Sequence, residues 1–406
     1  MTRTRPKILE RGARMVSPQD FHVMRVSLVR GGPFRRLLRA AGLARDDGRD
    51  PWRQSLVLVL FAWAPLVAFA LVQRLATHRW EALVLDPAVH ARLLVTIPLL
   101  LVGEEVMHIM SARCIDRFVE SGLTPDGSAG VRPVVARAVR LRDARVPEAV
   151  LAVAALAAGQ AALWGVANPL GSVSVHGPVA APSLGRFWWA IVSLPVAQFL
   201  LYRSIWRWAI WSVLLGGLAS LDVRPVALHP DRRGGLGFLG EPVLAFAFVV
   251  MSVDCTAAGA WGGQMIFEHL PLKSFVLPLS EVAVASLAVG LGPLCVFSRC
   301  MWRARFTAIR QYDLFAMRYT QSFQHKWIDA GDAEGLLGTP DIQSMADLVN
   351  TLAVVRGMRL VPFGLYEVAA LFVAIGLPVV PLVLAAVPIH ELIGRLAGVL
   401  LAAVPG

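Results

Sequence analysis

Apolar residues in this chain come in long unbroken runs, not in strict alternation or in narrow stripes. Seven runs stand out, over residues 54–72, 93–112, 149–167, 187–205, 242–265, 276–298 and 364–388. Each supplies about 20 residues, the length of α-helix that crosses a hydrocarbon core about 30 Å thick. The alternating segments of about 10 residues that mark an outer-membrane barrel are absent. The expected fold is therefore all-α: a polytopic membrane helix bundle of about seven transmembrane helices, with a small helical cytosolic portion. The stretch 187–221 is too short for two spans and a turn, so it predicts one helix running on past the interface.

The polar stretches divide the chain into a lead (1–53), a six-span membrane domain (54–298), a soluble extension (299–360) and a last span with a short tail (361–406). In the lead, 21–30 and 33–42 mix apolar with basic residues and read as amphipathic segments on the inner leaflet. The loop 168–186, rich in Gly, Pro, Ser and Val, reads as irregular. From Arg299 to Trp327 there is no Gly or Pro, and Tyr312, Phe315, Tyr319, Phe323 and Trp327 recur at three- and four-residue spacing. That spacing predicts an amphipathic helix continuing span six by about 40 Å. The Gly331–Gly338 stretch breaks it, and Thr339-Pro340-Asp341 starts a second helix with Ile342, Met345, Leu348, Leu352 and Val355 on one face. About 60 residues with two apolar stripes hold no self-sufficient core. They must pack on each other, on the loops or on a neighbouring subunit, which makes a homo-oligomer the expected assembly.

Charge adds orientation. Of the 39 Lys and Arg residues, 33 fall in segments on the N-terminal side of the membrane and 6 on the other. Basic loops stay in the cytosol during insertion, so the N-terminus is expected inside. The chain holds 36 Arg against 3 Lys among abundant Ala, Val, Leu and Gly. That bias points to a high-GC bacterial genome and to the inner (cytoplasmic) membrane. The net charge of +11 does not imply a nucleic acid partner. It lies in loops where insertion and anionic headgroups favour it, so the expected partners are membrane lipids. No apolar core with a cleavage site occurs in the first 50 residues, so span one is expected to act as the insertion signal. The four cysteines form no CxxC and no Cys/His ligand pattern, so neither a metal site nor a cofactor nor a disulfide is expected.

Acids inside spans are costly and mark polar pathways or buried partners. They are Glu104 and Glu105 in span two, Asp254 in span five, Glu281 in span six and Glu367 in span seven. Helical rise places Asp254 and Glu281 at similar depth, about 18 and 22 Å from the inner edge, with Glu104 and Glu367 nearer to it. One reading is a proton or cation path along these carboxylates. The plainer alternative pairs Asp254 with Arg203 or Arg207, four residues apart in a Trp-rich helix, while Glu281 and Glu367 reach to the interfaces. Glu105 and His108 make one Glu-x-x-His step of a di-iron bundle, but no second copy follows.

The remaining distinctive string is His229-Pro-Asp231-Arg232-Arg233-Gly234-Gly235-Leu-Gly-Phe-Leu-Gly240, at the inner mouth of span five. Glycines, two arginines and a helix N-terminus suit an anion or a lipid headgroup, with Arg203 and Arg207 as further cationic candidates. The spacing matches neither a Walker A loop nor a Rossmann fingerprint. With spans five and six and the segment 337–348, this string resembles an uncharacterised family of bacterial multi-spanning inner-membrane proteins. The resemblance covers about the last half of the chain and implies the topology, with no activity or functional residue attached. Three functions stay open: an ion or proton channel or transporter, a membrane enzyme or lipid- or phosphate-binding protein, and a non-catalytic assembly or sensory component. No Ser/His/Asp, metal or paired-carboxylate constellation with catalytic spacing favours the enzyme.

Overall fold

The computed structural model describes residues 27, 31–40, 42, 51–163, 183–329 and 340–386. Most of 21–30, most of the loop 168–186, the 331–338 break and the tail beyond 386 lie outside them. The described residues are helical, with no strand. In chain order they form α1 (Pro33–Ala40), α2 (Pro51–Thr77), α3 (Pro87–Glu120), α4 (Gly127–Asp143), α5 (Arg145–Leu163) and α6 (Leu184–Ala219). After a long loop come α7 (Val243–Phe267), α8 (Val276–Leu291), α9 (Ser298–Gln324), α10 (Pro340–Arg356) and α11 (Leu365–Ala386).

Among the described residues, 6 helical runs are long and apolar enough to cross a membrane: Trp52–Thr77, Pro87–Glu120, Leu184–Ala219, Gly237–Phe267, Leu272–Asp329 and Leu365–Ala386. The third predicted span begins in α5, and its continuation to 167 lies outside the described residues. The stretch 187–219 is one helix, as its length requires, with a π-helical turn at Trp189–Ser193, and it ends at Ala219. A second π turn, Ala91–Thr96, lies in α3, and Arg92 on it stands 5.8 Å over the Trp189 ring. Neither turn has a signature in the apolar pattern.

Local chemistry sets the helix starts. Pro87 opens α3, where the Asp86 carboxylate accepts from the Ala88 amide at 2.8 Å. Ser183 caps α6 by accepting from the Arg186 amide at 3.1 Å. Helices α6 and α7 are the most enclosed, and the Trp208 and Phe246 rings stack between them at 4.6 Å. Close approach depends on small residues. A Cβ on Gly259 of α7 would stand 2.8 Å from the Ala88 Cα, and one on Gly159 of α5 would overlap the Ala190 carbonyl oxygen of α6. The outer helices carry exposed large apolar side chains, among them Leu56 and Phe61 on α2, Val284 on α8 and Phe372 on α11. Water would penalise such faces, whereas lipid accepts them.

Helices α9 and α10 fold back on each other. Tyr319 donates to the Asp341 carbonyl at 3.1 Å, Lys326 pairs with the Asp341 carboxylate at 2.6 Å, and Arg356 pairs with Asp313 at 2.9 Å. The apolar stripe of α10 buries Leu348 and Val355.

Candidate functional site

The buried charged residues assemble where the start of α5 meets the interior of α3 and α6. Arg203 and Arg207 are one helical turn apart on α6, so both guanidinium groups point the same way. Arg203 pairs with Glu104 of α3 and lies 3.6 Å from Glu148 at the start of α5, and Arg207 pairs with Glu148 at 3.1 Å. Two cations and two carboxylates thus neutralise one another across three helices. The chain before α1 closes over them. Glu148 also accepts from the Phe34 amide at 2.8 Å, Arg207 donates to the Gly31 carbonyl at 3.1 Å, and the Arg203 guanidinium stands 5.2 Å over the Phe34 ring. Glu148 belongs to this network yet stands just before the third apolar run, where it reads as loop. Its only signal in the sequence is an acid beside Arg145 at the mouth of a span.

Arg203 and Arg207 therefore take Glu104 and Glu148 as partners, not Asp254. Asp254 is fully enclosed in α7, and neither carboxylate oxygen has a hydrogen-bond partner among the described residues. Ser252 and Thr256, which meet Thr96 of α3 through hydrogen bonds of 2.9 and 3.1 Å, lie about 160° around the helix from it. On their side a cavity of about 20 Å3 is bounded by Arg92, Thr96 and Gln198, and the Gln198 carbonyl oxygen is also without a partner. One water fits such a space.

The other intramembrane acids are placed differently. Glu281 is exposed on the outer surface of α8, so depth alone relates it to Asp254. Glu105 is half-buried on α3 beside Glu104. Glu367 is buried instead of reaching for the interface. It accepts from the Gly364 amide at 2.7 Å, capping α11, and from Arg233 at 3.2 Å.

The Gly/Arg loop is held by its own carboxylate. Asp231 accepts from the amides of Arg233, Gly235 and Gly237 at 2.7, 3.1 and 3.1 Å, and His229 lies 2.9 Å away. These are the amides that an external anion would use. Burial pushes the Asp231 carboxyl up, but the three amides and His229 outweigh it and hold it below the usual carboxylate range. Positive φ at Arg232, Gly234 and Gly235 lets the chain wrap the carboxylate. Arg233 is committed to Glu367, which leaves Arg232 and His229 exposed. Among the described residues no group of three or more His, Cys, Asp or Glu comes together to hold a metal ion.

Comparison with family models, with curated proteins and with solved structures finds no match to this chain. The class rests on the structure alone: among the described residues, six helices long and apolar enough to span a bilayer, with lipid-compatible outer faces, make this a multi-pass membrane protein.

Proposed function

We propose that this protein moves protons or small cations across the membrane, with Asp254 as the intramembrane carboxylate that binds and releases them. One observation carries this reading: Asp254 is buried in α7 with neither oxygen partnered among the described residues. An isolated carboxylate there costs several kcal/mol, and a bound proton or cation removes that cost. Glu104 and Glu367 are neutralised by arginines and Glu281 lies on the surface, so Asp254 differs from them in kind. Glu104, Glu105 and Glu367 would sit on the inward side of the path. The 33-to-6 basic asymmetry supports a cytosolic location for the end at which α5 begins. The arginine usage supports a bacterial inner membrane.

Purified protein in liposomes, under imposed pH and voltage gradients, tests this. Wild type should pass protons or monovalent cations, and Asp254→Asn, which keeps the shape of the side chain, should not. Equal flux in wild type and variant would remove Asp254 from the mechanism. A wild type that is tight under both gradients would defeat the reading.

A further inference from the structure

A groove of about 790 Å3 opens between the start of α9 and the extended segment 222–228 that follows α6. Its shape has a local cause. Cys300, Ala304 and Ala308 follow one another at four-residue spacing on α9, and small side chains there leave a trough. Arg299, Arg303, Thr307 and Gln311 run alongside at the same spacing and turn hydrogen-bond donors toward it. Arg224 stands on the opposite wall, paired with Asp222 at 2.6 Å.

Arg299 and Arg303 are exposed, and neither makes an ion pair with a described residue. Arg305 of α9 donates to the Arg356 carbonyl at 2.9 Å, and Arg356 of α10 pairs with Asp313 at 2.9 Å. With three arginines against one aspartate, the groove carries a surplus of two positive charges. Val296, in the last turn before α9, also lines it, so the groove adjoins the end of a membrane span.

We propose that this groove binds a phosphate-bearing anion, held by Arg299 and Arg303 with Arg224 closing from the other wall. Planar guanidinium groups suit phosphate oxygens, and the adjoining apolar wall suits acyl chains. The site is independent of Asp254, so either proposal can fail alone.

The test uses full-length protein in nanodiscs. Native mass spectrometry counts retained phosphatidylglycerol against phosphatidylcholine, and calorimetry titrates inorganic phosphate. Three variants are compared with wild type: Arg299→Gln with Arg303→Gln, the groove-filling Ala304→Leu, and a charge control, Arg310→Gln with Arg318→Gln, on exposed positions of α9 outside the groove. The groove variants should lose at least about tenfold in affinity and the control less than about twofold. Selective loss of phosphatidylglycerol identifies a headgroup, and selective loss of phosphate binding identifies a soluble ligand. Equal losses in groove and control variants would reduce the effect to general charge and overturn the proposal. So would wild type that retains neither ligand.

Discussion

Glu148→Ala is the sharpest test of how the charge cluster holds together. Arg203, Arg207 and Glu148 are 2, 4 and 4 % exposed, so water screens them poorly. Glu148 balances Arg207 at 3.1 Å, supports Arg203 at 3.6 Å and accepts from the Phe34 amide at 2.8 Å. Truncating it leaves two buried guanidinium groups against Glu104 alone, one uncompensated charge. Breaking a buried pair in this way costs about 3–5 kcal/mol. Glu148→Gln fills the same space and keeps one acceptor oxygen, but it loses the charge and turns the other oxygen into a donor, so its cost should be smaller than that of Glu148→Ala, about 1.5–3 kcal/mol. The double variant Glu148→Leu with Arg207→Met leaves the Arg203–Glu104 pair balanced and should return to within about 1–2 kcal/mol of wild type. Reversible unfolding in mixed micelles, titrated with a denaturing detergent, reads these differences. Trypsin cleavage at Arg36 and Arg39 of α1 reports release of the segment that Glu148 holds. Glu148→Ala unfolding at the wild-type midpoint, with unchanged cleavage, would refute the charge-balance reasoning.

Two further perturbations probe the loop and the packing. Asp231→Ala should expose the amides of Arg233, Gly235 and Gly237 to hydrogen exchange, at a local cost of about 2 kcal/mol. In wild type the sign follows from the depressed Asp231 carboxyl. Its contribution is full above the unfolded value of about 3.9 and is lost as pH falls through the still lower folded value, so protection should persist at neutral pH and fail only in acid. Loss of protection between neutral pH and pH about 5 would contradict this. Gly159→Leu places a branched side chain where even a Cβ overlaps the Ala190 carbonyl oxygen, so α5 must move off α6. A loss of about 1–3 kcal/mol or more is expected in the same unfolding assay, and wild-type stability would show that the contact does not form.

The membrane class, the approximate span boundaries and the helical character of 299–327 are legible in the chain because they depend on local quantities. The length and hydropathy of a run decide whether a helix partitions into lipid, whatever its neighbours are. The single helix over 187–219 follows in the same way. Partners are a different matter. Whether Arg203 meets Asp254 or Glu104 depends on how three helices are rotated and how closely they approach, and composition carries neither. The alternative pairing of Asp254 with an α6 arginine therefore fails, while Glu148, which stands just before an apolar run, supplies the second carboxylate. The Gly/Arg string shows glycines, cations and an acid, yet only folded geometry turns the Asp231 carboxylate onto the amides of Arg233, Gly235 and Gly237. The groove beside Arg299 and Arg303 needs a wall from residues 222–228, some 75 positions earlier in the chain. Solvent preference is written residue by residue, whereas charge compensation and cavity shape arise between elements distant in sequence, and only tertiary packing decides them.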